Sequence, residues 1–229
     1  MIKKAMILAA GFGKRLNPLT LKYPKPLLKI GQETLLSNTI NFLEKFEIEK
    51  VIINTHYLGD QIVEYINKKK FNLEIIILKE EKEILDTGGG ILNSLKYFNE
   101  SFLCLNPDTI WNLNYINELK KMEIDFFSSK KNCQLLVVDK MKSFDKNLKG
   151  DFNIKNGLAS RIKSEHLKYI YTGLQIIHPN AFLNINEKVF SINKIWNKLI
   201  QNNQLYVYES NLDFLHISTL EIYKTLNIK

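Results

Sequence analysis

The sequence of 229 residues is long enough to bury one domain, and its 45% hydrophobic and 24% charged residues are ordinary for a globular protein. No apolar run approaches the roughly 18 residues of a membrane span, and the first residues lead into a strand, so we expect a cytoplasmic protein with no membrane partner. The net charge of +8 does not predict nucleic-acid binding, because the lysines are interleaved with acidic residues and no nucleic-acid motif occurs. A positive field suits an anionic small substrate equally well.

The first half of the chain alternates strand and helix. The predicted strands are residues 5–10, 51–54, 73–78 and 102–105. Helical spacing of apolar residues predicts helices at residues 34–46 and 113–122, and along the stripes Leu58, Ile62, Ile66 and Ile91, Leu92, Leu95. This alternation favours an α/β fold with a mostly parallel central sheet flanked by helices on both faces.

The alternation of strand and helix ends in the second half of the chain, where strand-like runs dominate. The predicted strands are residues 135–138, 151–154, 169–177, 206–208 and 214–217, and the predicted helices are residues 192–200 and 220–226. We therefore expect the second half to add a smaller antiparallel lobe. No linker, repeat or low-complexity segment divides the chain, which predicts a single domain.

The two cysteines, Cys104 and Cys133, both lie in apolar runs. We predict buried free thiols, and neither a disulfide nor a four-ligand zinc site. His56 and His166 have no partner at metal-ligand spacing, and we interpret them as structural residues. The chemistry of the protein must then come from other side chains.

A phosphate site is outlined directly after the first predicted strand. Gly11 and Gly13 remove Cβ atoms where backbone N–H groups could turn towards an anion, and Lys14 and Arg15 add positive charge. Leu16 stands where a dinucleotide fingerprint needs its third glycine, and the Gly-Lys-Ser/Thr of a P-loop is missing, so the loop matches neither motif. A plain strand-to-helix turn is the alternative interpretation.

Further polar residues lie close to predicted strand ends. Asn54 ends the second strand and Asp108 follows the fourth, so both fall at the carboxyl edge of a parallel sheet, where ligands bind in open α/β folds. Lys25 stands between Pro24 and Pro26, whose rings hold it on a stiff segment. Asp108 could bind Mg²⁺ or serve only as a turn residue.

A run of three glycines precedes the helical stripe that begins at Ile91. Residues 86–90 read Asp-Thr-Gly-Gly-Gly. Each glycine in a helix costs about 1 kcal/mol against alanine, so the run indicates flexibility or close approach to something flat. A helix start capped by Asp86 or Thr87 is a compatible alternative.

Residues 8–27 together resemble the N-terminal signature of the sugar-1-phosphate nucleotidyltransferases, L-A-A-G-x-G-x-R-x-x-P-L-T followed by P-K-P-L. Every fixed position is present, as Leu8, Ala9, Ala10, Gly11, Gly13, Arg15, Pro18, Leu19, Thr20, Pro24, Lys25, Pro26 and Leu27. The resemblance implies one Rossmann-like (GT-A-like) nucleotidyltransferase domain over residues 1–229, with a nucleotide-binding half at 1–111 and a sugar-binding half at 112–229.

The reaction implied by this resemblance is transfer of a nucleoside monophosphate from an NTP to a sugar 1-phosphate with release of pyrophosphate, supported by Mg²⁺ or Mn²⁺. The strings D-T-G-G-G-I at residues 86–91 and G-D-F at residues 150–152 resemble those of the N-acetylmuramate-1-phosphate uridylyltransferases. They favour UTP and N-acetylmuramate 1-phosphate, in nucleotide-sugar biosynthesis for cell-wall recycling. The alternatives are guanylyl transfer from GTP to mannose 1-phosphate, and a catalytically weak nucleotide-binding regulator.

The resemblance also implies roles for individual residues. Arg15 would neutralise the β- and γ-phosphates, Lys25 the α-phosphate and the incoming sugar phosphate, and Asp108 would hold the metal ion. The residues implied to bind the nucleotide are Ala9, Ala10, Gly11, Gly13, Lys14, Arg15, Glu81, Thr87 and Gly88, with Glu80 or Glu81 at the base edge. The residues implied to bind the sugar phosphate are Lys25, Asp151, Thr172 and Gly173.

Two departures from the family pattern leave alternatives open. His216 stands where the string W-x-D-V-G-T carries the second metal carboxylate of the family, and imidazole prefers softer ions than magnesium. Either Asp108 and the triphosphate suffice for one ion, or His216 binds a softer ion such as Mn²⁺, or His216 donates a hydrogen bond to phosphate. The Glu-Lys-Pro motif of longer relatives is also missing, and Arg161, Lys163 or Lys168 could supply its charge.

Overall fold

The computed structural model describes residues 1–162 and 165–227 of the chain. The strands are β1 Lys4–Leu8, β2 Lys29–Ile30, β3 Glu33–Thr34, β4 Lys50–Thr55, β5 Glu74–Lys79, β6 Phe102–Leu105, β7 Cys133–Asp139, β8 Asn153–Lys155, β9 Leu158–Ser160, β10 Tyr169–Ile177 and β11 Leu205–Ser210. The helices are α1 Leu35–Lys45, α2 Gly59–Lys68, α3 Asp86–Ser94, α4 Asn114–Ser128, α5 Asn193–Gln201 and α6 Leu220–Asn227.

Nine of the strands in these ranges form one sheet, in the order β5-β4-β1-β6-β10-β7-β11-β9-β8, while β2 and β3 form a separate antiparallel pair. Strands β5, β4, β1 and β6 run parallel to one another. Strand β10 lies antiparallel between β6 and β7, and β11 runs parallel to β7. The predicted α/β fold is confirmed, and the antiparallel strands of the second half continue the same sheet as far as the β8–β9 hairpin.

The sheet is buried on both faces, which explains why its central strands read as unbroken apolar runs. Along β1 the side chains alternate, so that Ala5 and Ile7 pack into one hydrophobic core and Met6 packs into the other. The first core includes side chains from α1, α2 and α4, and the second includes side chains from α3 and α5. At the carboxyl edge of the sheet, Gly11 and Phe12 in the loop after β1 are exposed, whereas the residues that follow β4 and β6 are buried or partly buried.

Helix α1 begins at a capping box that fixes its first turn. The hydroxyl oxygen of Thr34 accepts from the backbone N–H of Ser37 at 3.0 Å, and the Ser37 hydroxyl oxygen accepts from the backbone N–H of Thr34 at 3.0 Å. The N–H of Leu35 donates to the carbonyl of Leu28 at 2.9 Å, directly after the short turn Lys25–Leu27. The start of α1 therefore supports the segment that carries Lys25.

The prediction of a strand at residues 214–217 is wrong. Phe214 and His216 form only isolated bridges, to Ser143 and Thr109 respectively, because the segment bonds to two different loops in turn. Six of the other eight predicted strands differ from the observed strands at one or both ends. The first ends at Leu8 and not at residue 10, the strand predicted at residues 151–154 is observed as β8, and the strand predicted at residues 135–138 extends to the whole of β7.

The predictions for cysteine are confirmed, since Cys104 and Cys133 are buried free thiols. His56 contacts a backbone carbonyl oxygen and His166 contacts a lysine side chain. None of the helices in the described ranges is both long and apolar enough to cross a lipid bilayer.

Candidate active site

The loop after β1 offers unused backbone donors. In the described part of the chain, the N–H groups of Gly11, Phe12 and Gly13 make no hydrogen bond to protein. Gly13 has a φ of 64°, and a Cβ there would lie 3.1 Å from the Cβ of Lys25, so only glycine fits without strain. A Cβ at Gly11 would meet no other atom within 4 Å. The loop can therefore turn several N–H groups towards an anion.

Two cations follow this loop at its exposed end. Lys14 and Arg15 are both solvent-accessible, and neither takes part in the ion pairs found among residues 1–162 and 165–227. The Lys14 ammonium lies 5.3 Å from the centre of the Phe12 ring, which gives it a cation–π contact and no charge partner. Both positive charges remain available to an anionic ligand.

Lys25, Asp108 and His216 meet at the carboxyl end of β6. The ammonium of Lys25 lies 2.5 Å from Oδ2 of Asp108, and Nε2 of His216 lies 3.1 Å from the same oxygen. The side chains are only 12%, 16% and 17% exposed. The backbone N–H of Ile217 donates to the carbonyl of Asp108 at 2.9 Å, which ties the His216 segment to the loop after β6.

Asp108 is held as a carboxylate. Burial alone would raise the pKa of Asp108, but the adjacent Lys25 and His216 outweigh burial and hold that pKa well below its ordinary range. Oδ1 of Asp108 is buried and has no hydrogen-bond partner within the described ranges. A buried, ionised oxygen without a partner is a cost that a bound cation would remove.

The donor set around Asp108 fits a hard divalent cation. Mg²⁺ usually takes one or two protein carboxylates, with substrate phosphates and water completing its coordination. No group of three or more His, Cys, Asp or Glu side chains among the described residues could hold a metal ion without substrate. Asp108 could therefore supply one protein oxygen ligand, and phosphate oxygens would have to supply others.

Two cavities open at this edge of the sheet and share Leu8, Gly11 and Asn106. One has a volume of about 120 Å³ and includes Lys25 and Asp108 in its lining. The other has a volume of about 160 Å³, and its remaining lining residues are Ala10, Asn54, Ile84, Asp86 and Thr87. The charged cavity suits phosphate groups, and the neighbouring cavity, with mostly small and apolar walls, suits a nucleoside.

The glycine run at the start of α3 packs against protein. The N–H groups of Gly88 and Gly89 both donate to the carbonyl of Phe190, at 2.9 and 3.0 Å. The hydroxyl oxygen of Thr87 accepts from the N–H of Ile192 at 2.9 Å. The predicted close approach to something flat is the ring of Phe190, which lies 2.4 Å from where a Gly88 Cβ would stand. Neither Asp86 nor Thr87 caps α3 through its side chain.

A buried glutamate, Glu80, links three loops of the site. Its carboxylate accepts from Nδ2 of Asn54 at 2.7 Å and from the N–H of Leu85 at 2.8 Å, while Oδ1 of Asn54 accepts from the N–H of Ala9 at 3.0 Å. Glu80 is 4% exposed and does not line the nucleoside cavity. Glu81 is exposed and does not line that cavity either. The sequence signal for this network is a polar residue at or just after the end of each of two apolar strands.

On the second-half side, Asp151 and Thr172 have different environments. The carboxylate of Asp151 accepts from the N–H of Tyr171 at 2.9 Å. Burial raises the pKa of Asp151, although the Tyr171 N–H and the charge of Arg161 oppose this. The hydroxyl of Thr172 is buried and donates to the carbonyl of Leu136 at 2.9 Å, so it supports the sheet.

Gly173 lies directly beside the loop after β6. It has a φ of 90°, and a Cβ there would stand 3.1 Å from Cβ of Asn106. The N–H of Asn106 donates to the carbonyl of Gly173 at 2.8 Å. Gly173 therefore lies behind Asn106, which lines both cavities, and does not line either cavity itself.

Three cations are candidates for the acceptor side, and their environments differ. Arg161 is partly buried, donates from Nε to the carbonyl of Asp151 at 3.0 Å, and forms no ion pair with an acidic side chain in the part of the chain described. Lys168 is 55% exposed and pairs with Asp139 at 2.9 Å. Lys163 lies outside the described residues. Of the two described candidates, Lys168 has its charge in an ion pair, whereas the charge of Arg161 acts on the pKa of the nearby Asp151 without a direct ion pair.

Comparison with known proteins agrees with this geometry. Residues 4–142 match the family model described as Nucleotidyl transferase. The chain is 25% identical over 209 residues to N-acetylmuramate alpha-1-phosphate uridylyltransferase of Caulobacter vibrioides, a match that covers 89% of this chain and 86% of that protein. It is 28% identical over 215 residues to mannose-1-phosphate guanyltransferase beta-A of Xenopus laevis, covering 90% of this chain but only 58% of that longer relative.

Solved structures share the fold. The crystal structure of HddC from Yersinia pseudotuberculosis complexed with GMP-PN superposes with a TM-score of 0.79 over 99% of both chains, at 22% identity. The family match includes the loop after β1, Lys25 and Asp108. The chain therefore belongs to the nucleotidyl transferase family, and its predicted resemblance to the sugar-1-phosphate nucleotidyltransferases is confirmed.

Proposed function

We propose that the protein transfers a nucleoside monophosphate from an NTP to a sugar 1-phosphate, giving an NDP-sugar and pyrophosphate. The observation that carries this proposal is the loop of unused N–H groups at Gly11 to Gly13, which adjoins the Lys25–Asp108 pair across one cavity. Phosphoryl transfer of this kind needs positioning and charge neutralisation more than an acid or a base. The loop and the pair supply both.

On the nucleotide side, the proposed contacts come from residues 1–111. The N–H groups of the loop after β1 would cradle the triphosphate, with Arg15 and Lys14 against its β- and γ-phosphates. The nucleoside would occupy the cavity that Ala10 and Thr87 line, and Ala9 would be held in place by Asn54. Glu81 and Gly88 do not line this cavity, and Gly88 donates its N–H to protein.

On the acceptor side, the proposed contacts come largely from residues 112–229. Lys25 would lie between the α-phosphate and the incoming sugar phosphate. Asp151 and Arg161, which hydrogen-bond each other, would contact the sugar, and Gly173 would support Asn106 from behind. An oxygen of the sugar phosphate would attack the α-phosphorus in line, the bond from that phosphorus to the bridging oxygen would break, and pyrophosphate would leave. No covalent enzyme intermediate is required.

Asp108 would hold the divalent metal ion of the family through its unpartnered Oδ1. A metal ion bound there would neutralise charge on the phosphates, and Mg²⁺ suits the oxygen donor set, with Mn²⁺ as the alternative. Lys25 pairs with the other oxygen of the same carboxylate. Lys25 and the metal ion would therefore present two positive charges to the phosphates from one side.

For the substrates, we propose UTP and N-acetylmuramate 1-phosphate first, and GTP and mannose 1-phosphate second. The uridylyltransferase of Caulobacter vibrioides matches this chain over 86% of its own length, whereas the guanyltransferase of Xenopus laevis is matched over 58%. The strings at residues 86–91 and 150–152 favour the same choice. A cytoplasmic role in nucleotide-sugar supply for cell-wall recycling would follow from the first pair.

The test is pyrophosphate release by the purified protein with Mg²⁺ and, separately, Mn²⁺. UTP, GTP, CTP and dTTP are each combined with several sugar 1-phosphates, including those of N-acetylmuramate and mannose. We expect release with UTP and N-acetylmuramate 1-phosphate. Release with another pair would correct the substrates and keep the reaction, whereas triphosphate binding without turnover by any pair would favour the nucleotide-binding regulator.

A further inference from the structure

We infer that His216 is a positioning residue that orients the Asp108 carboxylate, and that it is not a ligand of the metal ion. The inference concerns His216, which stands at the position of the second metal carboxylate in the family string, and it rests on the proposed function, because that proposal assigns the metal ion to Asp108. It selects one of the alternatives that the sequence leaves open.

The first argument is that Nε2 of His216 is already engaged. It lies 3.1 Å from Oδ2 of Asp108, and an ionised carboxylate can only accept hydrogen bonds. Nε2 is therefore placed to donate to Oδ2, and a metal ion could bind this nitrogen only by displacing that contact. Lys25 donates to the same oxygen at 2.5 Å, so Oδ2 is fully used by two donors.

The second argument is that Nδ1 of His216 does not reach the cavity. This atom is buried without a hydrogen-bond partner in the described ranges, and His216 does not line the cavity that Lys25 and Asp108 line. The ring lies nearly parallel to that of Phe214, with 5.6 Å between centres and 8° between planes. The backbone of His216 also bridges to Thr109, which holds the segment that carries the ring.

The two oxygens of the Asp108 carboxylate therefore have different roles. Oδ2 receives the hydrogen bonds that fix the rotamer of Asp108, and Oδ1 is left without a partner among the described residues. Residues that hydrogen-bond a metal ligand from behind typically change metal affinity by about 10- to 100-fold. The site would then be a hard, single-carboxylate site with no built-in preference for soft ions.

The experiment measures Mn²⁺ directly, by electron spin echo envelope modulation of the wild-type enzyme with Mn²⁺ and an α,β-methylene triphosphate of the base that turns over. We expect no modulation from a directly bonded histidine nitrogen. A strong nitrogen modulation that disappears in His216→Ala would overturn the inference. The wild-type spectrum decides this point even where a variant fails to fold.

Mn²⁺ affinity of the variants gives the second readout. His216→Ala should weaken Mn²⁺ binding at least about 10-fold, whereas His216→Gln, whose side-chain amide can still donate to Asp108, should stay within about 3-fold of wild type. His166→Ala, which changes an exposed histidine, is the control. Unchanged Mn²⁺ affinity in His216→Ala would contradict a positioning role. Pyrophosphate release by the wild-type enzyme tests the proposed function separately, so the two failures are distinguishable.

Discussion

Two glycine-bearing loops flank the site, and they use glycine for opposite purposes. In the loop after β1, Gly11 and Gly13 leave N–H groups without partners in the described part of the protein, and a Cβ at Gly11 would meet nothing within 4 Å. That loop is open, and its missing side chains make room for a ligand. The loop presents unpaired backbone N–H donors beside the cations Lys14 and Arg15.

The loop at the start of α3 is filled by the protein itself. A Cβ at Gly88 would meet the Phe190 ring, one at Gly89 would stand 2.0 Å from the carbonyl oxygen of Lys188, and one at Gly90 would stand 2.7 Å from Nδ2 of Asn54. Here the missing side chains admit other parts of the chain. A glycine in sequence therefore indicates close approach, and it does not say whether a ligand or the protein approaches.

The largest expected effect is on kcat, in the site next to the open loop after β1. Lys25→Met keeps the length of the side chain and removes the charge, so we expect kcat to fall about 10²- to 10³-fold, the scale measured for loss of one preorganised donor to developing charge. Lys68→Met, at an exposed lysine paired with Glu64, should retain kcat and is the matched control. A near-normal rate in Lys25→Met, with the fold checked by circular dichroism, would remove Lys25 from the mechanism.

The next largest effect is a loss of stability, in the loop at the start of α3 that the protein itself fills. Gly89→Ala would force a methyl group against the Lys188 carbonyl oxygen, a backbone atom that cannot rotate away. Overpacking of this kind costs about 1–3 kcal/mol, and occasionally more, so we expect about 3 kcal/mol lower free energy of unfolding. Urea denaturation measures the change. Wild-type stability in Gly89→Ala would mean that the loop around Gly89 is not closely packed.

Gly11→Ala is the corresponding change in the open loop after β1. The methyl group has space, so the free energy of unfolding should stay within about 0.5 kcal/mol of wild type. The same methyl group projects where the two cavities meet, and we expect the KM for the NTP to rise about tenfold, or about 1.4 kcal/mol. The opposite pattern, lost stability with an unchanged KM, would contradict the role of the open loop.

The open loop could be predicted from sequence because its signals are local. A short apolar strand, two glycines and two cations stand next to one another, and Lys25 and Asp108 could be placed because prolines and strand ends constrain them. The 25% identity to an enzyme that acts on a sugar 1-phosphate, over 89% of the chain, agrees with those signals.

The filled loop could not be predicted, because its partners are far away in the sequence. Nothing near residue 88 indicates that Phe190 will take its N–H group, and nothing near Thr172 indicates that Leu136 will take its hydroxyl. The strand wrongly predicted at residues 214–217 fails for the same reason, since its backbone bonds are divided between two separate loops. Apolar periodicity reports burial, and it does not report which segment will be the neighbour.

The smallest expected effect shows whether the Thr87 hydroxyl holds the N–H of Ile192 or contacts the nucleotide. Thr87→Val keeps the shape of the side chain in the nucleoside cavity and removes the oxygen that accepts from the N–H of Ile192, a group that would then lack a partner. An unsatisfied buried donor costs about 1–3 kcal/mol, so we expect about 1 kcal/mol lower free energy of unfolding, with a KM for the NTP within about twofold of wild type. Thr87→Ser, which keeps the oxygen, should recover most of the stability. An unchanged free energy of unfolding combined with a raised KM in Thr87→Val would instead assign the hydroxyl to the nucleotide, and the start of α3 would then serve the ligand as the loop after β1 does.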